Sequence, residues 1–194
     1  MQHKAVQLIS EDEYLEMERA SDTKNEYFKG EIYAMSGASR KHNLIVANLI
    51  MEIGLQLKNK PCRVYPSDMR LKVEKTSLHT YPDIMVVCGP ERFVDEKEDT
   101  LLNPNVIIEV LSDSTESYDR GEKFLNYRQI DSLKEYVLIW QKQTKIEKYS
   151  RVNTTSWTLS ETNETQQSIS LDSIECTLDI ASVYDKIEGT EDLM

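Results

Sequence analysis

The sequence predicts a single α/β domain, residues 1–194, with a central sheet flanked by helices. Apolar side chains recur at helical spacing between Leu44 and Leu55, which predicts an amphipathic helix. Two apolar runs, residues 84–88 and 106–108, are the length of strands, and unbroken apolarity is typical of strands that are buried on both faces. At 194 residues the chain fits one domain with a sizeable core.

The sequence of the N-terminal part predicts a helix followed by a hairpin. Ser10 and Glu13 match a capping box, in which the serine caps a backbone amide and the glutamate reaches back, so a helix is expected over residues 11–20. Residues 26–35 contain two short β stretches on either side of Gly30, which permits the turn between them. The domain should therefore begin with one helix and one hairpin.

The central and C-terminal parts predict further strands and two more helices. Ser39 can cap the helix that contains Leu44, and Pro61 follows the expected end of that helix at residue 58. Beyond it we predict, in order, a strand over residues 62–73, a strand over 82–88, a solvated loop with a helical turn over 89–105, a strand over 106–111, a polar loop over 112–119, a helix over 121–130, a strand over 136–140, a hairpin over 145–151 and 156–159, and a polar stretch over 161–170.

The composition is that of an ordinary globular protein. Charged residues make up 29% of the chain and hydrophobic residues 39%, which excludes the disordered, collagenous and membrane classes. The longest apolar runs are far shorter than a bilayer span, and residues 1–10 lack the apolar core of a signal peptide. We therefore expect a cytoplasmic protein without a membrane partner.

The three cysteines predict neither a disulfide framework nor a zinc site. Cys62, Cys88 and Cys176 are odd in number, widely spaced and free of any CxxC pair. Each is therefore expected to be a small buried apolar residue with a free thiol.

The net charge argues against a protein that coats nucleic acid without specificity. The chain has 23 basic and 34 acidic residues, a net charge of −11 and a pI of about 4.8. A polyanion would have to be approached through local basic residues, for which the candidates are Lys24, Arg40, Lys41, Arg63, Arg70, Arg120 and Lys123.

Two carboxylates carry the strongest chemical signal. Glu109 interrupts an otherwise apolar strand, and a buried carboxylate is unfavourable unless it is paired or bound to a metal. Asp83 stands in the same way at the head of the preceding apolar strand. Two neighbouring strands thus each bring one acid toward a common point, and carboxylate oxygens are the ligands that Mg²⁺ prefers. Such a site suits phosphoryl chemistry.

Several motifs in order resemble a known nuclease family. They are Glu26-Tyr-Phe-Lys-Gly30, Ser39-Arg-Lys-His42, Ser67-Asp68, Tyr81-Pro-Asp83, Glu109-Val-Leu-Ser112, Asp119 with Lys123 and Tyr127, and Leu133-Lys-Glu-Tyr136. The set resembles the Uma family of predicted restriction endonucleases, a branch of the PD-(D/E)xK nuclease superfamily. The resemblance implies a restriction-endonuclease-like αβββαβ core with a mixed central sheet flanked by helices. The helix and hairpin at the N-terminus and the hairpin at the C-terminus would be additions to that core.

The resemblance also implies a metal site and a catalytic lysine. Asp83 and Glu109 are expected to hold Mg²⁺, which Mn²⁺ can replace, together with Val110, which has only backbone groups to offer. In the superfamily the lysine lies two residues after the acid, but Leu111 occupies that position here. Lys123 in the following helix is the matching residue, and its ammonium would orient water or neutralise developing charge.

Two further residues are assigned to the site with an ordinary alternative beside each. Glu26 matches the acid that precedes the turn glycine and would complete the metal shell, or it is an ordinary hairpin residue. His42 would contact a phosphate or the metal's water, or it is a plain helix-terminal histidine. Asp68 is a third, weaker candidate ligand, and Tyr81, Tyr127 and Tyr136 are expected to pack rather than to catalyse.

Two functions from different classes fit these residues. The first is a Mg²⁺-dependent endonuclease that hydrolyses phosphodiester bonds of nucleic acid, with DNA the expected substrate and a homodimer expected for cutting both strands. The second is a catalytically silent protein of the same fold that binds or regulates, which the acidic net charge and Leu111 favour. A glycosidase fits less well, because only two tryptophans are available to build a sugar platform.

Overall fold

The computed structural model describes residues 8–164 and 167–188. In chain order its helices and strands are α1 (Glu11–Arg19), β1 (Asn25–Phe28), β2 (Glu31–Ala34), α2 (Arg40–Leu57), β3 (Cys62–Pro66), β4 (Arg70–Val73), β5 (Leu78–Thr80), β6 (Ile84–Cys88), β7 (Thr100–Leu101), β8 (Val106–Leu111), α3 (Glu116–Tyr118), a π-helical turn (Asp119–Lys123), α4 (Phe124–Tyr127), β9 (Glu135–Trp140), β10 (Ile146–Arg151), β11 (Trp157–Thr162), β12 (Ser168–Leu171), a 3₁₀ turn (Asp172–Ile174), β13 (Cys176–Asp179) and α5 (Ile180–Val183). The α/β class and the central sheet are confirmed. The expectation that concerned residues 1–10 falls largely outside the described residues.

The central sheet has six strands in the order β11-β10-β9-β8-β6-β3. β8 and β9 run parallel, and the other neighbours are antiparallel. The parallel pair is joined by the segment of α3, the π-helical turn and α4, as expected for a connection that must cross back over the sheet. The sheet is therefore mixed, and β8 lies in its middle with both edges paired.

Helix α2 covers one face of this sheet. Ile45, Leu49, Ile53 and Leu57 recur every four residues and form the buried face of the helix, which packs against alternate residues of β6, β8 and β9. Ser39 accepts a hydrogen bond from the amide of His42 and so caps the helix, as its sequence position predicted. Truncation of Ile45 to alanine in this packed layer would cost about 2–5 kcal/mol.

A second, five-stranded sheet covers the opposite face. Its order is β2-β1-β5-β4-β7, and its residues Leu71, Val73 and Leu78 pack against Met85 and Ile107 of the central sheet. The single strand predicted over residues 62–73 is wrong at this point. The chain turns after Pro66, where the amide of residue 69 bonds to the Pro66 carbonyl at 3.1 Å, and β4 then joins the second sheet. The alternation of the sequence continues through the turn, so it could not reveal the change of sheet.

The loop predicted over residues 89–105 contains a strand rather than a helical turn. Thr100 and Leu101 pair in parallel with β4, and Phe93 forms a bridge to Leu101. At the C-terminal end, β12 and β13 form a third, two-stranded sheet, so the polar stretch predicted over 161–170 holds the end of β11 and most of β12. Residues 165–166 of that stretch lie outside the described residues.

Two of the three cysteines are joined, contrary to the sequence expectation. Cys62 and Cys88 are register partners of the antiparallel pair β3–β6, and a disulfide links them. Their separation of 26 residues concealed a pairing that only the strand register creates. Cys176 is buried and free, as predicted.

The described helices are too short or too polar to cross a membrane.

Candidate active site

The two carboxylates singled out in the sequence lie on the same face of the central sheet. Along β8, Ile108 and Val110 point toward α2, and Ile107, Glu109 and Leu111 point toward the second sheet. Ile84 pairs with Ile108 in the neighbouring strand, so Asp83, one residue before Ile84, lies beside Glu109. Leu111, at the position where the resemblance placed the superfamily's lysine, is buried in the core on the same face as Glu109.

Asp83 and Glu109 are held close together by the backbone. The Asp83 amide donates to Glu109 Oε2 at 3.3 Å, and the Val110 amide donates to Asp83 Oδ2 at 2.8 Å. Tyr127 donates its hydroxyl proton to Glu109 Oε1 at 2.8 Å. Each acid is thus oriented by the strand of the other, and the register of β6 and β8 sets the distance between them.

Lys123 reaches this pair from the connection between β8 and β9. Its Nζ lies 3.0 Å from Glu109 Oε1, 3.3 Å from Asp119 Oδ1 and 3.6 Å from Glu26 Oε1, and only 6% of the residue is exposed. Burial opposes the charged ammonium, but the surrounding carboxylates outweigh it and raise the pKa of Lys123 well above its usual value. The ammonium is therefore charged at neutral pH.

The π-helical turn places Lys123 and Asp119 on the same side. Such turns are rare and occur mostly as single insertions within α-helices, where they redirect side chains. Both residues are buried by the turn, and Tyr136 donates a hydrogen bond from its hydroxyl to the Asp119 carbonyl at 3.0 Å. The helix predicted over residues 121–130 is present in part, but it begins earlier, at Glu116, and ends at Tyr127.

Glu26 and His42 come from two other elements and complete the surroundings. Glu26 lies on β1 and accepts hydrogen bonds from the hydroxyls of Thr80 and Tyr118. His42 lies in the first turn of α2, and its Nε2 is 2.9 Å from Asp83 Oδ2. The Nδ1 atom of His42 is buried and has no partner among the described residues. All five side chains assigned from the sequence, Glu26, His42, Asp83, Glu109 and Lys123, line one cavity, as does Val110.

The cluster contains more acidic groups than basic ones. We call Glu26, Asp83, Glu109, Asp119 and Lys123 the acid cluster, which has four carboxyl groups and one ammonium group. Burial raises the pKa of Glu109, and it raises that of Asp119 also, although Lys123 acts in the opposite direction on both. Without a further cation the cluster therefore favours holding protons at its buried acids.

The cavity in front of the acid cluster has a volume of about 690 Å³ and is open to solvent. Residues 36–39, Ser112, Ser114 and Gln141 form part of its wall. Two hydrogen bonds fix the side chain of Gln141, which accepts from Ser39 at 2.6 Å and donates to the Leu111 carbonyl at 2.8 Å. The space is large enough for water molecules and part of a polymer backbone.

The donor set fits a hard divalent cation. Within residues 8–164 and 167–188, no three or more His, Cys, Asp or Glu side chains are arranged to hold a metal. Mg²⁺ needs fewer protein ligands than that, because it keeps several waters and is commonly bound by one or two carboxylates together with substrate phosphates. Asp83 and Glu109 supply two carboxylates, and Oδ1 of Asp83 accepts no hydrogen bond from the described residues. The residues present therefore match Mg²⁺.

Other residues suggested from the sequence lie elsewhere. Asp68 is in the turn after β3, is highly exposed and pairs with Lys24 at 2.5 Å, so it does not lie beside Glu109. Of the suggested cations, Lys24 and Lys123 line the cavity, whereas Arg70 is buried and Arg63 pairs with Glu91. Tyr127 and Tyr136 are packed as predicted, and their hydroxyls also orient Glu109 and the π-helical turn.

Sequence reasoning did not assign Asp119 or Gln141 to the site. The spacing of four between Asp119 and Lys123 was a usable signal, because residues four apart face the same side of a helix. Gln141 carried no such signal, since it stands just after a strand whose parallel pairing with β8 is visible only in the fold.

The fold belongs to a class that includes a solved nuclease-like structure. A crystal structure from Anabaena variabilis, described as "a putative nuclease belonging to DUF820", matches it with a TM-score of 0.73 at 19% identity, over 91% of this chain and 97% of that chain. The predicted restriction-endonuclease-like fold is thereby confirmed as a mixed α/β fold of nuclease-like type.

The family follows from the sequence comparisons. The profile of the family described as "Uma2: Putative restriction endonuclease" matches residues 11–181. The uncharacterized protein sll1609 of Synechocystis sp. is 36% identical, covering 79% of this chain and 87% of that protein. The uncharacterized protein slr1290 of the same organism is 35% identical, covering 77% of each. The chain belongs to the Uma2 family, which confirms the resemblance drawn from its motifs.

Proposed function

We propose that this protein is a Mg²⁺-dependent endonuclease that hydrolyses phosphodiester bonds of nucleic acid. The observation that carries the proposal is the convergence of Asp83, Glu109 and Lys123 on one open cavity, with Lys123 Nζ 3.0 Å from Glu109. Membership of a restriction-endonuclease family and the nuclease-like fold support the same reaction class. Acids and a lysine in one solvent-open cavity are what metal-assisted hydrolysis requires.

Asp83 and Glu109 are the residues that would hold the metal, with a backbone group of Val110 beside them. When bound, Mg²⁺ would supply positive charge to the reacting phosphate and make a water molecule more acidic. The excess of carboxyl groups in the acid cluster supplies the attraction for such a cation. Burial favours the protonated forms of Glu109 and Asp119, so a metal ion would displace protons when it binds. Metal binding should therefore strengthen as the pH rises.

Lys123 provides a fixed positive charge beside the reacting phosphate. Its pKa is raised well above the usual value, so it acts as a cation and a hydrogen-bond donor rather than as a base. Because it is anchored to Glu109 and Asp119, its position needs no rearrangement during the reaction. It thereby replaces the strand lysine whose position Leu111 occupies.

His42 and Val110 orient Asp83. Both contact Oδ2, which leaves Oδ1 directed away from these partners and free to bind. Glu26 has a different task in this proposal, because it contacts Lys123 rather than Asp83 and so helps to hold the ammonium.

The nucleic-acid substrate, the alternative metal and the oligomeric state are proposed from the same site. We propose DNA as the substrate and Mn²⁺ as a replacement for Mg²⁺, since both cations accept carboxylate and water ligands. We also propose that two chains act together as a homodimer when both strands of a duplex are cut, because one site cleaves one strand at a time.

The test combines metal binding with cleavage. A folded-state ligand at a hundred times its Kd stabilises by about 2.7 kcal/mol, which corresponds to a rise of roughly 5–10 °C in Tm for a chain of this size. We expect Mg²⁺ and Mn²⁺ to raise the Tm of the wild type and of Asp68→Ala, an acid outside the cavity, but not of Asp83→Ala. Only the first two should cut duplex or single-stranded DNA.

Two results would change this conclusion. A wild-type protein whose Tm is unmoved by saturating Mn²⁺, and which leaves both DNA substrates intact, has no metal-dependent nuclease site. Metal binding without cleavage would instead favour the catalytically silent protein, in which Lys123 serves only to balance Glu109 and Asp119.

A further inference from the structure

A second cavity, of about 480 Å³, is bordered mainly by cations. Lys75, Arg128, Lys134 and Arg151 line it together with the loop of residues 152–154, and among the described residues Asp131 is the only carboxylate in its wall. We call it the basic pocket. A concentration of four cations is unusual in a chain whose net charge is −11.

The basic pocket is a built feature of the fold rather than a chance grouping of flexible chains. Arg151 ends β10 and donates from Nε to the Leu133 carbonyl at 2.6 Å and from Nη2 to the Arg128 carbonyl at 2.8 Å. Its amide also bonds to the Lys134 carbonyl at 2.8 Å. These bonds fix the end of α4, the start of β9 and the end of β10 around one point.

The positive charge of the basic pocket is largely uncompensated. Asp131 pairs with Lys75 at 2.6 Å. Within the described residues, neither Arg128, Lys134 nor Arg151 forms an ion pair, although many other cations of the chain do so. Burial lowers the pKa of Arg151, and the charge of Asp131 offsets this only in part. An anion at this point would relieve the repulsion among the cations.

The shape of the groups indicates which anion fits. Arg128 and Lys134 are exposed, so their donors can reach a ligand, and guanidinium groups match the oxygen geometry of phosphate. The Arg151 guanidinium also lies over the ring of Trp157, 4.4 Å from the ring centre, which adds a cation–π contact to the hydrogen bonds that hold it. The pocket offers a charged, open surface rather than an apolar one.

The basic pocket is separate from the acid cluster. Glu109 is the register partner of Leu138 in β9, four residues after Lys134, so roughly 13 Å of that strand at 3.3 Å per residue lies between the pocket and the acid cluster. None of the residues that line the basic pocket is a proposed metal ligand or a hydrogen-bond partner of one.

We propose that the basic pocket binds a phosphate group, carried either by a nucleic-acid strand or by a free phosphate compound. Arg128 and Lys134 contact the phosphate, and Arg151 holds the backbone that presents them. The inference does not depend on the proposed nuclease reaction, because it concerns binding in the absence of metal at a different part of the fold.

The test follows backbone amides by NMR in a metal-free buffer while inorganic phosphate or a short DNA duplex is added. The variant Arg128→Gln with Lys134→Gln removes the two exposed cations and leaves Arg151 and its structural bonds in place. The matched control, Lys58→Gln with Lys97→Gln, removes two exposed lysines elsewhere and gives the same net charge.

We expect phosphate to shift the amides of residues 128–134 and 152–154 in the wild type and the control. The pocket variant should lose about tenfold in affinity, and its log–log salt dependence for duplex DNA should flatten by about 0.9, which is the contribution of one neutralised phosphate. Shifts with both probes identify a nucleic-acid strand as the source, and shifts with inorganic phosphate alone identify a free phosphate compound. Unmoved pocket amides with both probes, or equal losses in the pocket variant and the control, would overturn the proposal.

Discussion

Two clusters of polar side chains are packed beside the five-stranded sheet. The pKa of one acid in each cluster is shifted, and the two shifts have opposite directions. In the first, which we call the arginine cluster, Arg70 bonds to Thr100 at 2.9 Å and to Tyr81 at 3.0 Å, and it pairs with Asp99 at 3.2 Å. The Arg19 guanidinium beside Asp99 holds the pKa of that carboxyl well below its usual value. In the acid cluster, burial raises the pKa of Glu109 instead.

The difference separates a structural network from a site that is suited to bind. In the arginine cluster two guanidinium groups, those of Arg19 and Arg70, pair with Asp99, and Glu18 accepts hydrogen bonds from Tyr81 and Asn25. In the acid cluster one ammonium faces four carboxyl groups and an open cavity. A buried carboxylate is costly unless a group of the opposite charge lies beside it, so we expect a cation to bind at the acid cluster.

The largest effect is expected from removing the ammonium of the acid cluster. Lys123→Met should lower the rate of metal-dependent DNA cleavage by about 10²–10³-fold, because a preorganised donor near the reacting phosphate is lost. The fold should persist, since Glu109 and Asp119 already favour holding protons. Cleavage kinetics with Mn²⁺ would measure this, with Lys72→Met, which removes a lysine paired to Glu11, as the control. Equal rates in the two variants would remove Lys123 from the reaction.

Removing a cation from the arginine cluster should lower the stability of the protein and leave DNA cleavage largely unchanged. Arg70→Met leaves Tyr81 and Thr100 without their donor and Asp99 with one guanidinium fewer, so we expect a loss of about 3 kcal/mol in the free energy of unfolding. Urea denaturation would measure the loss, and cleavage per folded molecule should stay near that of the wild type. If cleavage fell while stability did not, the distinction between the clusters would fail.

A third prediction concerns pH and a histidine beside the arginine cluster. His79 is fully buried, and burial lowers its pKa to about 4 from 6.5, although Glu11 favours its charged form. The unfolded chain therefore takes up the proton first as the pH falls, so stability present above pH 6.5 is lost toward pH 4, by an amount on the order of 2–3 kcal/mol. Urea midpoints at several pH values should fall more steeply in the wild type than in His79→Gln. Parallel curves would show that His79 does not titrate differently in the two states.

The smallest expected effect is a difference in stability between two isosteric substitutions, one in each cluster. Asp99→Asn should destabilise by about 1 kcal/mol at neutral pH, a modest value because solvent screens this partly exposed acid. Glu109→Gln should leave the stability of the metal-free protein unchanged or raised, because the folded state already favours the neutral form of this side chain. Thermal unfolding in the presence of a chelator compares the two directly. A loss in both variants would mean that Glu109 is charged and satisfied without metal.

The parts of the fold that the sequence predicted well are those that local patterning determines. The buried strands around Asp83 and Glu109, the capped helix α2 and the N-terminal hairpin follow from periodicity and turn residues. The contact of Lys123 with Glu109 could be anticipated only through the family motifs, because a lysine in a helix is ordinarily exposed.

Features that depend on register or on distant segments were not predictable. The Cys62–Cys88 disulfide requires knowledge that β3 pairs with β6. The second sheet depends on the turn after Pro66, and the basic pocket joins Lys75, Arg128 and Arg151 from segments far apart in the chain. In each case the residues are ordinary by themselves, and only the topology gives them a shared position.

The π-helical turn from Asp119 to Lys123 makes the protein sensitive to a change in chain length rather than in side-chain type. An α-helix advances by about 100° per residue. Deleting Gly121 would allow the segment to close as an ordinary α-helix and would leave Asp119 and Lys123 three residues apart, about 60° short of a full turn. Every side chain of the acid cluster would remain in the sequence, but the ammonium would be displaced from its present position beside Glu109 and Asp119. A one-residue deletion in an outwardly ordinary helix should thus weaken the contacts of the acids with their lysine.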